Sequence, residues 1–127
     1  MSHPLIDRLT TGLGWPRLED AGALAAWRDR PGAHVLFLPG DWQRNLETAD
    51  VAVILPELRA AFQGRFDCAV AGEAVETVVK EASGVFKTPA LIFYRDGVCL
   101  GGIPNVRDWD DYIVLTARFL DRPVVAA

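Results

Sequence analysis

GVFKTPALIFYRDG, residues 84–97, is the stretch from which the architecture of this chain is read. Gly84 is a natural stop for the helix predicted over Glu73 to Ala82, because glycine takes the left-handed conformation at a helix C-terminus without steric cost. Ala90 to Tyr94 is a short apolar run, the pattern of a strand buried on both faces. Arg95-Asp96-Gly97 holds an Asp-Gly pair, the strongest short hairpin signal, so Val98 to Gly101 reads as the returning strand. Between helix and first strand lies Thr88-Pro89, where the proline ring removes a backbone donor and punctuates the chain.

Working outward, the same alternation continues in both directions. Pro4 opens a short helix with Leu5, Ile6 and Leu9, ended by Gly12 and Gly14, and Trp15 to Leu18 is extended. Asp20 caps a helix through Leu24 and Trp27 that Pro31 and Gly32 stop. His34 to Leu38 and Arg65 to Ala71 read as buried strands. Between them, Val51, Ile54, Leu55, Leu58 and Phe62 form one helical stripe, with Thr48 or Asp50 as its cap and Pro56 as a kink. Asp108 caps a last helix with Trp109, Tyr112, Ile113, Thr116 and Phe119 inward, closed by Pro123, and PVVAA reads as a loose tail. The order α, β, α, β, α, β, α, β, β, α implies one α/β domain over residues 1–127. Its central sheet is mixed and mostly parallel, covered by helices on both faces, and ends in the hairpin and a C-terminal helix.

Composition narrows the function classes. Half of the residues are hydrophobic and 24% charged, which is globular composition, and the net charge of −4 argues against a nucleic-acid binder. No basic-then-apolar leader opens the chain and no apolar stretch is long enough for a membrane span, so the expectation is a cytoplasmic protein without membrane insertion. Cys68, Cys99, His3 and His34 are too scattered for a zinc site or a disulfide framework, and no C-x-x-C occurs; no metal or cofactor is expected.

The segment Gly84 to Gly97 resembles the part of thioredoxins that carries the cis-proline, its strand and the following hairpin. VILPEL, residues 53–58, is similar to the kinked thioredoxin helix that follows the redox motif. Counting back from Pro56 by that family's spacing puts the two redox positions at Thr48 and Val51. More narrowly, the combination of PGD, RNLETADVAVILPEL, FKTPALIFYRDG and WDDYI resembles the HyaE/HupG family of hydrogenase accessory proteins, which are thioredoxin-like and lack the dithiol. The resemblance implies a cytoplasmic role in maturing uptake [NiFe] hydrogenase, through binding the twin-arginine signal peptide of the small-subunit precursor before export.

Chemistry supports binding over catalysis. Thiol-disulfide exchange needs an attacking thiolate and a resolving thiol, and neither Thr48 nor Val51 supplies one. Cys68 and Cys99 fall on strands with two others between them, about 14 Å apart at ~4.8 Å per strand, beyond the roughly 7 Å limit for a disulfide. A cis Thr88–Pro89 bond would face the Thr88 backbone toward the helix that starts near Thr48, leaving an N–H and a C=O free for an extended peptide. Asp41, Glu47, Asp50 and Glu57 stand against Arg44 alone, so this corner is acidic. Glu47 and Asp50, flanking the first lost cysteine position, are the carboxylates expected to pair with guanidinium groups. Trp42 and Leu46 either contact the apolar part of a leader or, for Trp42, fold over the core. Two alternatives remain open: a monothiol redox or metal-handling enzyme using Cys99, and an interaction subunit that recognises the folded precursor or another accessory protein.

Overall fold

The computed structural model describes residues 3–121. Five strands form one mixed sheet in the order β1-β3-β2-β4-β5: β1 (Arg17–Leu18), β2 (Ala33–Leu38), β3 (Phe66–Ala71), β4 (Ala90–Arg95) and β5 (Val98–Pro104). β3 runs parallel to both β1 and β2, whereas β4 is antiparallel to β2 as well as to β5. The antiparallel part therefore includes the β2–β4 pairing in addition to the closing hairpin. Helices α1 (Pro4–Asp7), α2 (Ala21–Arg28), α3 (Glu47–Ala61), α4 (Glu73–Ser83) and α5 (Trp109–Asp121) complete the fold, with a π-helical turn over Arg8–Gly12 extending α1. Pro123 and the PVVAA tail lie outside the described residues.

The unbroken apolar runs are explained by two cores, one on each face of the sheet. Val35, Phe37, Cys68, Val70, Leu91 and Phe93 point to the side of α1, α3 and α5, where Leu9, Leu55, Leu58 and Tyr112 join them. Their neighbours Leu36, Leu38, Ala69, Ala71, Ala90 and Ile92 point to the side of α2 and α4, against Leu24, Trp27, Val75 and Val79. Alternation along a strand thus feeds both layers.

Three local expectations give way. Trp109 is 43% exposed, and the inward stripe of α5 is Tyr112, Thr116 and Leu120, with Ile113 and Phe119 half-buried. β5 runs on through Gly101 and Gly102 to Pro104, because these glycines make room for packing and do not end the strand. A Cβ on Gly101 would meet the Phe119 ring at 2.9 Å, and one on Gly102 the Ile92 side chain at 2.8 Å. The cap of α3 is neither Thr48 nor Asp50: the helix begins at Glu47, and both lie within its first turn.

Candidate functional site

Pro56 sits inside α3, and the two positions counted back from it are sealed. Thr48 and Val51 are both 0% exposed. The Thr48 hydroxyl donates to the Pro39 carbonyl at 2.8 Å, tying the start of α3 to the end of β2. Where a dithiol protein needs a reachable sulfur, this chain has a structural hydrogen bond and a core valine.

The Thr88–Pro89 bond is cis. Its surroundings are held by a relay of contacts across three elements. Glu76 on α4 accepts the Gly40 N–H at 2.7 Å. Gly40, at φ 71°, packs so closely on Thr88 that an added Cβ would lie 2.6 Å from the Thr88 Cβ, so only glycine fits there. Asn45 then donates from Nδ2 to the Thr88 carbonyl at 2.7 Å while its Oδ1 accepts the Glu47 N–H at 3.0 Å. The Asn45 side chain thus bridges the start of α3 and the cis-proline turn. The expectation that both backbone groups of Thr88 are free is corrected: the carbonyl is taken, and the N–H is the group without a partner among the described residues.

The acidic corner is redistributed in the same way. Asp41 spends its carboxylate on the Gln43 N–H at 3.1 Å and on Arg44 at 3.5 Å, closing a tight turn. Glu47 and Asp50 are exposed and form no ion pair among the described residues. Both lie within electrostatic reach of Tyr112, whose hydroxyl accepts the Arg107 N–H and donates to the Asn105 carbonyl. Burial pushes the Tyr112 phenol up, opposed first by the Arg107 N–H and then by its guanidinium. Arg107 and the two acids thus act on the same phenol with opposite sign. Leu46 is 84% exposed and Phe86 63% exposed, on the segments that Asn45 and Thr88 join. Trp42 is half-buried, packs on the core and meets the His3 ring edge-on at 5.1 Å, so it folds over its own domain. Sequence reasoning missed Asn45, Phe86 and Arg107.

On the other side of the Gly40 loop lies a cleft of about 700 Å³, lined in part by Asp41, Trp42, Glu73, Glu76, Lys80 and Thr88. Burial raises the Glu76 carboxyl above its ordinary range, opposed by the Gly40 N–H and by Lys80. Cys68 is buried, which pushes its thiol up strongly, whereas Cys99 is exposed on β5. β2 and β4 separate the two strands that carry them. No helix among the described residues is long and apolar enough to cross a membrane.

A central mixed sheet, a kinking proline in the helix after β2 and a cis-proline before β4 define a thioredoxin-like domain, here without the cysteine pair. The solved structures that it resembles agree. Mitochondrial thioredoxin 3 from Saccharomyces cerevisiae superposes with a TM-score of 0.66 at 13% identity, over 87% of this chain and 97% of that one. A mutant thioredoxin from Halobacterium salinarum gives 0.56 at 17%, over 86% and 93%. The chain belongs to the family described as Hydrogenase-1 expression protein HyaE, whose model matches residues 5–112. It is 60% identical to the hydrogenase expression/formation protein HupG of Rhodobacter capsulatus, over 94% of this chain and 86% of that protein. To the hydrogenase expression/formation protein HoxO of Azotobacter vinelandii it is 43% identical, over 89% and 75%.

Proposed function

We propose that this chain is a cytoplasmic accessory protein of hydrogenase formation that works by binding, without thiol chemistry of its own. Its partner in this reading is the twin-arginine signal peptide of the small-subunit precursor of uptake [NiFe] hydrogenase. The observation that carries the reading is the buried Thr48 and Val51 beside an intact cis-proline turn, with exposed Leu46, Phe86, Glu47 and Asp50 around it. Catalytic groups are replaced, while the features that receive an extended segment stay. The names of the relatives, hydrogenase expression/formation proteins, supply the process. Adjacent arginines of a leader pair with Glu47 and Asp50 through charge-assisted hydrogen bonds. The apolar residues that accompany them rest on Leu46 and Phe86.

The test is calorimetry with a synthetic leader peptide. Glu47→Lys with Asp50→Lys is expected to leave the circular dichroism spectrum unchanged and to weaken binding by about tenfold or more. Wild-type affinity falls as salt rises. Unchanged affinity in the double variant contradicts the acidic site.

A second reading, recognition of the folded precursor, is favoured by the shape of the acidic face. Glu47, Asp50 and Glu57 are exposed along roughly 15 Å of α3, a span suited to a surface as well as to a peptide. Capture of a precursor from which the leader has been removed decides for it. The lone-thiol alternative rests on exposed Cys99. A disulfide-reduction assay in dithiothreitol is expected to stay at background, and activity that disappears in Cys99→Ser overturns the binding reading.

A further inference from the structure

Asn45 is held from every side. Its N–H donates to the Asp41 carbonyl at 2.9 Å, and its own carbonyl accepts the Thr48 N–H at 3.3 Å. The side-chain amide uses both ends, Oδ1 on the Glu47 N–H and Nδ2 on the Thr88 carbonyl. Nδ2 and Oδ1 belong to one planar group, so turning it away from Thr88 also breaks its bond to the Glu47 N–H. The next carbonyl along, that of Pro89, is occupied by the Asn105 N–H at 2.8 Å. Among the described residues, the N–H of Thr88 has no hydrogen-bond partner.

Adding a strand to a backbone requires that the incoming segment donate to a carbonyl and accept from an N–H of the same residue. We propose that Asn45 is an internal competitor for this site: its amide stands where the first N–H of an added strand would donate. A docking segment gains the Thr88 carbonyl only by exchanging that bond for its own. This rests on the leader-binding reading and adds to it the residue that sets affinity and order of contact. A partner first presents a carbonyl oxygen to the Thr88 N–H, with apolar side chains against Leu46 and Phe86. Only a segment whose gains exceed the loss of two hydrogen bonds at Asn45 goes on to displace the amide. Segments that offer a carbonyl but no apolar contact dissociate at the first stage.

Asn45→Ser separates the two bonds. The serine hydroxyl still accepts the Glu47 N–H two residues on, while a side chain that short does not reach Thr88. Calorimetry with the synthetic leader peptide is expected to give binding roughly three- to tenfold tighter than wild type, the worth of about one net hydrogen bond. In the wild-type protein, the Asn45 carboxamide signals in an amide NMR spectrum move to solvent-exposed positions as the peptide saturates the site. Equal or weaker binding by Asn45→Ser, or carboxamide signals that stay in place while the wild type binds, overturns the competitor role and leaves the leader reading standing. No binding by either protein overturns the leader reading and this inference with it, and is recognised because the wild type is then silent.

Discussion

Replacing Thr48 by valine keeps the outline of the side chain and removes only its hydroxyl. That hydroxyl is fully buried and donates to the Pro39 carbonyl at 2.8 Å, in a region where Pro39 is itself buried. Valine leaves the carbonyl without a partner and out of reach of solvent, which costs about 1–3 kcal/mol. Unfolding entropy of about 2.1 cal/mol/K per residue converts this to a midpoint lower by roughly 4–11 °C. Thr48→Ser keeps the hydrogen bond and loses one buried methyl, about 1 kcal/mol or ~4 °C. Paired urea and thermal unfolding curves, followed by far-UV circular dichroism, measure both. The order expected is wild type above serine above valine. If valine unfolds at or above the wild-type midpoint, the hydroxyl holds nothing, and the view of Thr48 as a structural post is wrong.

Other perturbations reach the same region from different sides. Gly40→Ala sets a methyl against Thr88 at a positive φ of 71° and is expected to cost more than about 1 kcal/mol and to weaken leader binding, measured by unfolding and calorimetry together. Glu76 has a folded-state pKa above its unfolded value, so its proton stabilises the native state at low pH and that stabilisation is lost as pH rises through the folded pKa. Glu76→Gln, which still accepts the Gly40 N–H, therefore gains on wild type at pH 7, and the gain disappears below the ordinary carboxylate range in a series of pH-dependent melts. Thiol titration of the native protein is expected to label Cys99 and spare Cys68, with both labelled in guanidinium chloride; early labelling of Cys68 contradicts its burial.

The order of elements was legible because it is written in local signals: an apolar run for each strand, Asp-Gly for the hairpin, Gly84 for a helix stop. The count back from Pro56 reaches Thr48 and Val51, which lie in the first turns of α3 and are buried. What could not be read depends on groups far apart in the chain. Asn45 sits in a polar loop like any Asx residue, and its partner Thr88 is 43 residues away. Arg107 reaches the Tyr112 hydroxyl from the segment before α5, far along the chain from Glu47 and Asp50. Gly101 and Gly102 read as a strand end because glycine usually interrupts a strand, whereas here Phe119 and Ile92 occupy the space of the absent side chains. Helical spacing likewise reads Trp109 as inward, but at the first position of α5 it is 43% exposed.

The central claim is that this thioredoxin-like domain binds its partner without sulfur chemistry. The most direct measurement is calorimetry of the synthetic leader peptide against a thiol-free variant, Cys68→Ala with Cys99→Ser. An affinity within about twofold of wild type is expected, with the same loss on reversing Glu47 and Asp50. Binding that vanishes with the thiols contradicts the central claim.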